Sequence, residues 1–360
     1  MNNEIKRISA KGEKPYDILL GRGLLDEVAE SLGNSVRKVL LVYPEPLEVS
    51  AQALAESLTA SDKSVWQFPV ADGESAKADR WLTIAWSSLG QAEFSRSDAV
   101  VSLGGGSTTD LAGFIAATWL RGIKVVHVPT TLLAMVDASI GGKTGINTLE
   151  GKNLVGAFHD PHSVIADLDT LESLPKVELG SGFGEIIKCG FIKDPIILDL
   201  IEENVSEAVD VRSDRFFELV SRTIQVKVDT VGSDFRESGN REFLNYGHTL
   251  GHSIELAEHY KMKHGHAVSI GMCFVAELAR STGRLDDSTA DRHKSILRML
   301  GLPTGYSKNK WNALYAGMQI DKKSRGGILR FVVLDGLGKP SILEAPTEEL
   351  LYAAFQEIAD

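Results

Sequence analysis

Residues 98–131 read DAVVSLGGGSTTDLAGFIAATWLRGIKVVHVPTT, a pattern that indicates the architecture of the N-terminal half. The apolar run 98–106 ends in three glycines, which predicts a buried strand followed by a tight turn. Residues 108–122 predict a helix, and residues 124–131 predict the next strand. Two strands joined by a helix through short connections predict a parallel βαβ unit. Ligands of such sheets bind at the carboxyl ends of the strands, so the glycine turn is a candidate site.

The same alternation extends towards the N-terminus, with strands predicted at 36–43 and 64–70 and helices at 47–59 and 78–91. After about residue 176 the pattern becomes helical, at 194–205, 215–231, 269–283 and 290–301, with one hairpin predicted at 328–338. The sequence therefore predicts an α/β domain at 1–176, with a doubly wound, mainly parallel sheet, and a mostly α-helical domain at 177–360.

Composition restricts the function classes. The 360 residues are 43% hydrophobic and 24% charged, as in a globular protein, with a formal net charge of -11. An acidic chain has no broad basic face for nucleic acid or an anionic membrane, so an anionic substrate needs a local group of Lys and Arg. The two cysteines lack CxxC spacing, and the first residues contain no apolar signal segment, so we expect a cytoplasmic protein with reduced thiols.

Two glycine-rich stretches are candidate anion sites. In SLGGGSTTD (102–110), backbone N–H groups at a helix start suit a nucleotide pyrophosphate, although a tight βα turn alone explains the glycines. Asp110 is either an acid of the first helical turn or a cofactor contact. The second stretch, 128–158, combines five glycines with Asp137, Lys143, Lys152 and Asn153, so its lysines are either anion donors or solvated surface groups.

Residues 244–268, LNYGHTLGHSIELAEHYKMKHGHAV, hold five of the nine histidines and predict a metal site. His248 and His252 are four residues apart, so helical spacing predicts that both are ligands, with a further donor from HGH at 264–266. The carboxylate candidate is Glu185 in GFGEIIKCG (182–190), three residues before Lys188. An acid at a helix end with an ion-pair partner is the alternative interpretation of that pair.

Ten blocks follow in an order and spacing that resemble the 3-dehydroquinate synthase family of sugar phosphate cyclases. They are ILLGRGLL (18–25), DGESAK (72–77), 103–123, 129–147, GKNLVGAF (151–158), GEIIKCGFI (184–192), LNYGHTLGHSIE (244–255), HGHAVSIGM (264–272), DKK (321–323) and RFVVLDGLG (330–338). The resemblance covers nearly the whole chain. It implies a Rossmann-like NAD-binding domain, a helical metal-binding domain that holds zinc or cobalt, and a homodimer.

The resemblance also implies residue roles. The metal ligands would be Glu185, His248 and His264, which makes His252 a catalytic residue beside the metal instead of a ligand. Further catalytic residues would be Asp137, Lys143 and Lys188. The substrate phosphate would be bound by Lys152, Asn153, Lys188, Lys322 or Lys323, and Arg121 of the neighbouring subunit. The substrate carboxylate and hydroxyls would be bound by Lys227, Arg241 and Asn245. The NAD contacts would be Asp72, Glu74, Lys77, Gly105, Gly106, Ser107, Asp110, Thr130, Thr131, Lys143 and Lys152.

The implied reaction converts 3-deoxy-D-arabino-heptulosonate 7-phosphate into 3-dehydroquinate and phosphate, with NAD regenerated in each cycle. The alternatives are a cyclase acting on sedoheptulose 7-phosphate or glucose 6-phosphate, a polyol or glycerol dehydrogenase that consumes NAD, and a binding module without activity. Substrates of the alternative cyclases lack a carboxylate, so the presence of Lys227 and Arg241 favours the heptulosonate phosphate. One departure from the family pattern is His266, which stands where Glu is usual.

Overall fold

The computed structural model describes residues 5–234, 239–324 and 327–360, without the side chains of residues 320–324. The strands are β1 (Lys6–Ala10), β2 (Tyr16–Gly21), β3 (Lys38–Pro44), β4 (Ser64–Val70), β5 (Ala99–Gly104), β6 (Lys124–Pro129), β7 (Lys143–Thr148), β8 (Gly151–Phe158), β9 (Ser163–Asp167), β10 (Arg330–Leu334) and β11 (Pro340–Glu344).

The α-helices are α1 (Glu27–Leu32), α2 (Glu48–Ala60), α3 (Asp79–Gln91), α4 (Gly106–Thr118), α5 (Lys176–Ile192), α6 (Ile196–Glu203), α7 (Val205–Val209), α8 (Asp214–Ser233), α9 (His248–Ala257), α10 (His264–Ser281), α11 (Asp287–Met299), α12 (Trp311–Ser324) and α13 (Glu348–Gln356). Short 3-10 segments include Gly73–Lys77 and Asn240–Asn245, and Ala134–Ala138 forms a π-helical turn.

The chain forms two compact units. The first comprises residues 1–174 and 227–236, and the second comprises residues 175–226 and 237–360. Helix α8 contributes to both, because its residues from Lys227 onward belong to the first unit. The first unit therefore takes a short segment from the later half of the sequence.

The first unit is built on a seven-stranded sheet of order β1-β2-β9-β6-β5-β3-β4. Only the β1–β2 pair is antiparallel, which confirms the predicted mainly parallel sheet. The chain runs outward from β3 to β4 and then crosses back to β5, so the strand order reverses between β3 and β5. Sheets of this type bind ligands beyond the carboxyl ends of the strands at such a reversal.

Both faces of this sheet are covered by helices, as the doubly wound prediction requires. Alternate residues of β3 point to opposite faces, so Val39 and Leu41 pack with α1 and α2, whereas Leu40 and Val42 pack with α3 and α4. Because β3 is buried on both faces, its sequence is a continuous apolar run, and this run is the pattern from which the strand was predicted.

The glycine-rich stretch 128–158 contains one of the elements that the sequence did not predict, which also include β1, β2 and β9. It forms an antiparallel hairpin, β7 with β8, in which Gly145 pairs with Gly156. A Cβ on Gly156 would lie 2.1 Å from the Thr144 carbonyl oxygen, so the close strand contact requires glycine there. Glycine usually weakens strand predictions, which explains the miss.

The second unit is mostly helical, as predicted. Its central helix α10 is buried on nearly all sides, as its apolar composition favours. The predicted hairpin at 328–338 exists as β10 and β11, but its second strand starts later, at Pro340. Among the described helices, none has the length and hydropathy needed to cross a membrane.

Candidate active site

The glycine turn lies at the carboxyl end of β5, where α4 begins at Gly106. Gly105 has φ -76°, so these glycines are not required by left-handed backbone conformation. They are required by packing, because a Cβ on Gly104 would lie 2.7 Å from Thr108 Oγ1 and a Cβ on Gly106 would lie 3.0 Å from Ala138 Cβ. The first N–H groups of α4 are left at this edge for an anion.

Asp110 is the fifth residue of α4, because the helix begins two residues before the predicted start. The interpretation of Asp110 as an acid of the first helical turn is therefore wrong. Its carboxylate instead accepts a hydrogen bond from Lys77 Nζ at 2.5 Å. Lys77 is buried and also donates to the Asn153 side chain, and Asn153 adopts φ 57°. Residues from three separate segments thus meet around one ammonium group.

Glu74 is the centre of a second polar group in the first unit. Its carboxylate accepts from Asn147 Nδ2 at 2.7 Å and from Ser107 Oγ at 3.4 Å, and lies 3.6 Å from Lys152 Nζ. Asp72 caps the segment that carries Glu74, with Oδ1 accepting from Gly73 N at 2.8 Å. Asn147 was missed by sequence reasoning, because an amide in a glycine-rich stretch carries no periodic signal.

Several further predicted residues also lie in the first unit. Asp137, in the π-helical turn, pairs with Lys227, which is 90 residues away in sequence. Lys227 is 8% exposed. Thr131 Oγ1 accepts from Ala134 N at 3.2 Å, and Thr130 N donates to the Gly104 carbonyl at 2.9 Å, which joins the loop after β6 to the glycine turn.

The remaining predicted basic residues differ in exposure. Lys143 and Arg121 are exposed, and Arg121 has φ 65°. Arg241 is only 2% exposed and lies in the same 3-10 segment as Asn245, in the second unit. Lys322 and Lys323 lie in α12, and their side chains are outside the described part of the structure.

The predicted metal residues meet in the second unit, where helices approach closely at glycines. A Cβ on Gly265 would lie 1.8 Å from the Ser181 carbonyl oxygen, so only glycine permits this contact between α5 and α10. Gly247, with φ 79°, contacts α10 in the same way, since its Cβ would lie 2.8 Å from Met272 N. Gly265 follows His264 and Gly247 precedes His248, so the close contacts bring the two histidines together.

Glu185 holds the centre of this cluster. It is 1% exposed, and its Oε1 has no hydrogen-bond partner among the described residues but lies 3.5 Å from His248 Nε2 and 3.6 Å from His264 Nε2. Ligand atoms of a tetrahedral zinc ion, each ~2.0–2.2 Å from the metal, are ~3.3–3.6 Å apart. The orphaned buried oxygen and the two ring nitrogens therefore fit a divalent cation of the zinc type.

Charge in the cluster is closely balanced. Burial alone would raise the pKa of Glu185, but the Lys188 ammonium and the two histidines hold that pKa well below its usual value. Burial and the same ammonium lower the pKa of His248. Burial opposes protonation of His264, yet the carboxylates of Glu185 and Glu255 raise its pKa to about 10. A metal that binds His264 therefore has to displace a proton.

A second group of His252, Glu255 and His264 also lies within metal-ligand spacing. His252 is exposed, and its ring centroid is 5.4 Å from that of His248. Glu255 Oε2 already accepts from His264 Nδ1 at 3.2 Å, whereas Glu185 Oε1 has no hydrogen-bond partner in the described part of the chain. The geometry therefore favours the Glu185 group as the metal centre and leaves His252 beside it.

Comparison with known proteins agrees with this arrangement. The family model for the 3-dehydroquinate synthase N-terminal region matches residues 67–181, and that for the C-terminal region matches residues 182–324. The chain belongs to the 3-dehydroquinate synthase family. A curated 3-dehydroquinate synthase from Paenarthrobacter aurescens strain TC1 is 56% identical, with all of both chains covered. The resemblance found in the sequence is thereby confirmed.

Two solved structures share the family fold. A 2-epi-5-epi-valiolone synthase from Streptomyces hygroscopicus subsp. jinggangensis 5008, with NAD+ and Zn2+ bound, is 26% identical at a TM-score of 0.88, covering 98% of this chain and 99% of that one. A 2-deoxy-scyllo-inosose synthase complexed with carbaglucose-6-phosphate, NAD+ and Co2+ is 25% identical at a TM-score of 0.87, covering 98% and 100%. These likenesses confirm the α/β and helical architecture.

Proposed function

We propose that the protein is a 3-dehydroquinate synthase, which converts 3-deoxy-D-arabino-heptulosonate 7-phosphate into 3-dehydroquinate and phosphate. The observation that carries the proposal is the buried oxygen of Glu185 between two histidine Nε2 atoms, in a chain of this family. The identity to a curated synthase, 56% over the full length, favours this substrate over those of the cyclases that are 25–26% identical.

Two bound groups would supply the chemistry that side chains lack. A divalent metal, zinc or cobalt, would be held by Glu185, His248 and His264 and would supply Lewis acidity towards substrate oxygens. NAD would supply reversible oxidation at C5 and would not be consumed; the C5 ketone acidifies the proton on C6, and loss of that proton lets phosphate leave from C7. The NAD contacts in the proposal are Asp72, Glu74, Lys77, Gly105, Gly106, Ser107, Asp110, Thr130, Thr131, Lys143 and Lys152.

The protein's own residues would bind the substrate and move protons. Lys152, Asn153, Lys188 and one lysine of 321–323 are the phosphate donors in the proposal. Lys227, Arg241 and Asn245 would bind the carboxylate and hydroxyls. A guanidinium held in a buried position suits the planar carboxylate, since charge-assisted bonds strengthen away from water. Fixing one conformer of the substrate lowers the entropy barrier to its ring closure.

Proton transfer is assigned to two residues. His252 and Asp137 would relay the proton of the C5 hydroxyl, and Lys143 would lie between nicotinamide and sugar. His252 is exposed, so it can exchange protons with solvent. The leaving phosphate would act as its own base during elimination, so that step needs no side-chain base.

The assembly and location complete the proposal. An NAD-binding domain at 1–176 and a metal- and substrate-binding domain at 177–360 would act in a cytoplasmic homodimer, with Arg121 reaching the phosphate of the partner's site. Mixing an Arg121→Ala variant with a Glu185→Gln variant tests this, because shared sites restore part of the activity in mixed dimers.

The experiment that tests the function is a substrate panel. The zinc-loaded protein with NAD is incubated with the heptulosonate phosphate, sedoheptulose 7-phosphate, glucose 6-phosphate or glycerol. We expect phosphate release from the first compound alone, with no lasting NADH absorbance. Release from sedoheptulose 7-phosphate or glucose 6-phosphate would assign another cyclase activity, and steady NADH formation with glycerol would assign a dehydrogenase.

A further inference from the structure

His264 lies between two carboxylates in the second unit. Its Nε2 is 3.6 Å from Glu185 Oε1, and its Nδ1 is 3.2 Å from Glu255 Oε2. Glu255 is 8% exposed and belongs to α9, whereas His264 begins α10. The Nε2 atom of the ring is thus directed at the metal cluster, and the Nδ1 atom is directed at a buried acid.

The partner of Nδ1 fixes the state of the ring. A carboxylate accepts hydrogen bonds, so Nδ1 keeps its proton and donates a hydrogen bond to Glu255 Oε2. Nε2 is then the nitrogen that offers a lone pair once a metal displaces its proton. His248 is arranged alike, because its Nδ1 donates to the Tyr246 carbonyl oxygen at 3.1 Å. Both histidines are therefore set to bind through Nε2, one by a neutral backbone acceptor and one by a charged acceptor.

We propose that Glu255 is a positioning residue for the metal centre, which orients His264 and increases the basicity of its Nε2. This inference rests on the proposed function, since it assumes that the Glu185 group binds the metal. Glu255 acts through the His264 ring in this arrangement, because its Oε2 accepts from Nδ1, whereas the Nε2 atom of His264 faces Glu185 Oε1. Outer partners of this kind typically change metal affinity by ~10–100-fold.

Two substitutions separate geometry from charge. Glu255→Gln keeps an oxygen acceptor in a nearly identical shape, and Glu255→Ala removes the acceptor. The matched control is Glu178→Gln, because Glu178 pairs with Lys263, next to His264 in sequence, without touching the ring. The control thus removes a negative charge near the same helix start and leaves the Nδ1 contact intact.

Zinc dissociation constants are measured on the purified full chain by competition with a chromophoric chelator, together with thermal unfolding of the metal-free forms. We expect Glu255→Ala to weaken zinc binding by ~10–100-fold and Glu255→Gln by a smaller factor, with Glu178→Gln within about twofold of the original protein. Cobalt(II) absorption spectra should keep the same band pattern in Glu255→Gln, because the set of ligands is unchanged.

The outcomes separate this inference from the proposed function. If the original protein does not bind zinc, the metal centre of the proposed function fails. If the unsubstituted protein binds zinc and the zinc dissociation constants of both Glu255 variants lie within twofold of its value, Glu255 has no positioning role and the proposed function stands. A changed cobalt band pattern in Glu255→Gln would make Glu255 a ligand, which also overturns the inference.

Discussion

Replacing Lys188 with methionine tests the charge balance of the metal cluster. Lys188 and Glu185 are a buried ion pair, with both side chains only 2% exposed. Removing one partner of such a pair costs roughly 3–5 kcal/mol, and we take ~3 kcal/mol because His264, with a pKa of about 10, stays protonated beside the carboxylate. With an unfolding entropy of ~2.1 cal/mol/K per residue over 360 residues, the metal-free protein should therefore unfold ~4 °C lower.

The metal-bound protein responds differently, because the cation replaces the lost ammonium as partner of Glu185. There we expect a loss of only ~1 kcal/mol, the usual cost of a shape-conserving core change. The difference of ~2 kcal/mol must appear as zinc binding that is ~30-fold tighter in Lys188→Met. Turnover should fall all the same, because the substitution removes a proposed phosphate donor.

The assay combines thermal unfolding, with and without zinc, and chelator competition for the zinc dissociation constant. The control is Lys193→Met, an exposed lysine at the end of the same helix, which should change neither quantity. Zinc binding that is weaker or unchanged in Lys188→Met would mean that the ammonium does not compete with the metal for Glu185.

Other variants test neighbouring features. Arg241→Gln should lower kcat/KM for the heptulosonate phosphate at least 30-fold, because a buried charge-assisted contact of ~2 kcal/mol or more is lost. The control is Arg284→Gln, which changes a partly exposed arginine. A loss of kcat/KM under tenfold in Arg241→Gln would contradict the role assigned to Arg241. Tyr246→Phe should cost ~1 kcal/mol of unfolding free energy, since Tyr246 Oη donates to His293 Nε2 at 2.8 Å; an unchanged stability would contradict this. Burial lowers the pKa of His293 to about 3, from 6.5, so the folded state resists a proton that the unfolded state takes up. Stability should therefore fall as pH drops from 6.5 towards 3, by up to ~1.4 kcal/mol per pH unit, and His293→Gln should remove that component of the slope.

The strands β3, β5 and β6 were predictable because they are buried on both faces and leave continuous apolar runs, whereas β1, β2 and β9 were not among the predicted strands. The β7–β8 hairpin was not predictable, since its strands contain glycines where backbones nearly touch. The hydrophobic pattern of one strand cannot predict such contacts, because the residues of the partner strand that require a glycine lie elsewhere in the sequence. The start of α4 was placed late for a related reason, since glycine and serine at 106–107 are poor helix formers whose role is packing at a helix start.

The candidate site was only partly accessible to spacing arguments. Helical periodicity selects His248 with His252, because it describes one helix, whereas the cluster in the structure joins three segments. A usable signal was present: a glycine adjoins each of Glu185, His248 and His264. Glu255 carried no such signal, since a glutamate in a helix is ordinarily solvated, and only its burial against His264 distinguishes it.

The number of phosphate ions released for each NAD supplied shows directly whether NAD is regenerated in each catalytic cycle. The zinc-loaded protein is given a large excess of heptulosonate phosphate and less than one equivalent of NAD, and phosphate is followed to completion. Regeneration of NAD within each cycle predicts release far above the NAD added, with no accumulation of NADH. Release that stops at the amount of NAD would contradict the account, because the nicotinamide would then be a consumed oxidant.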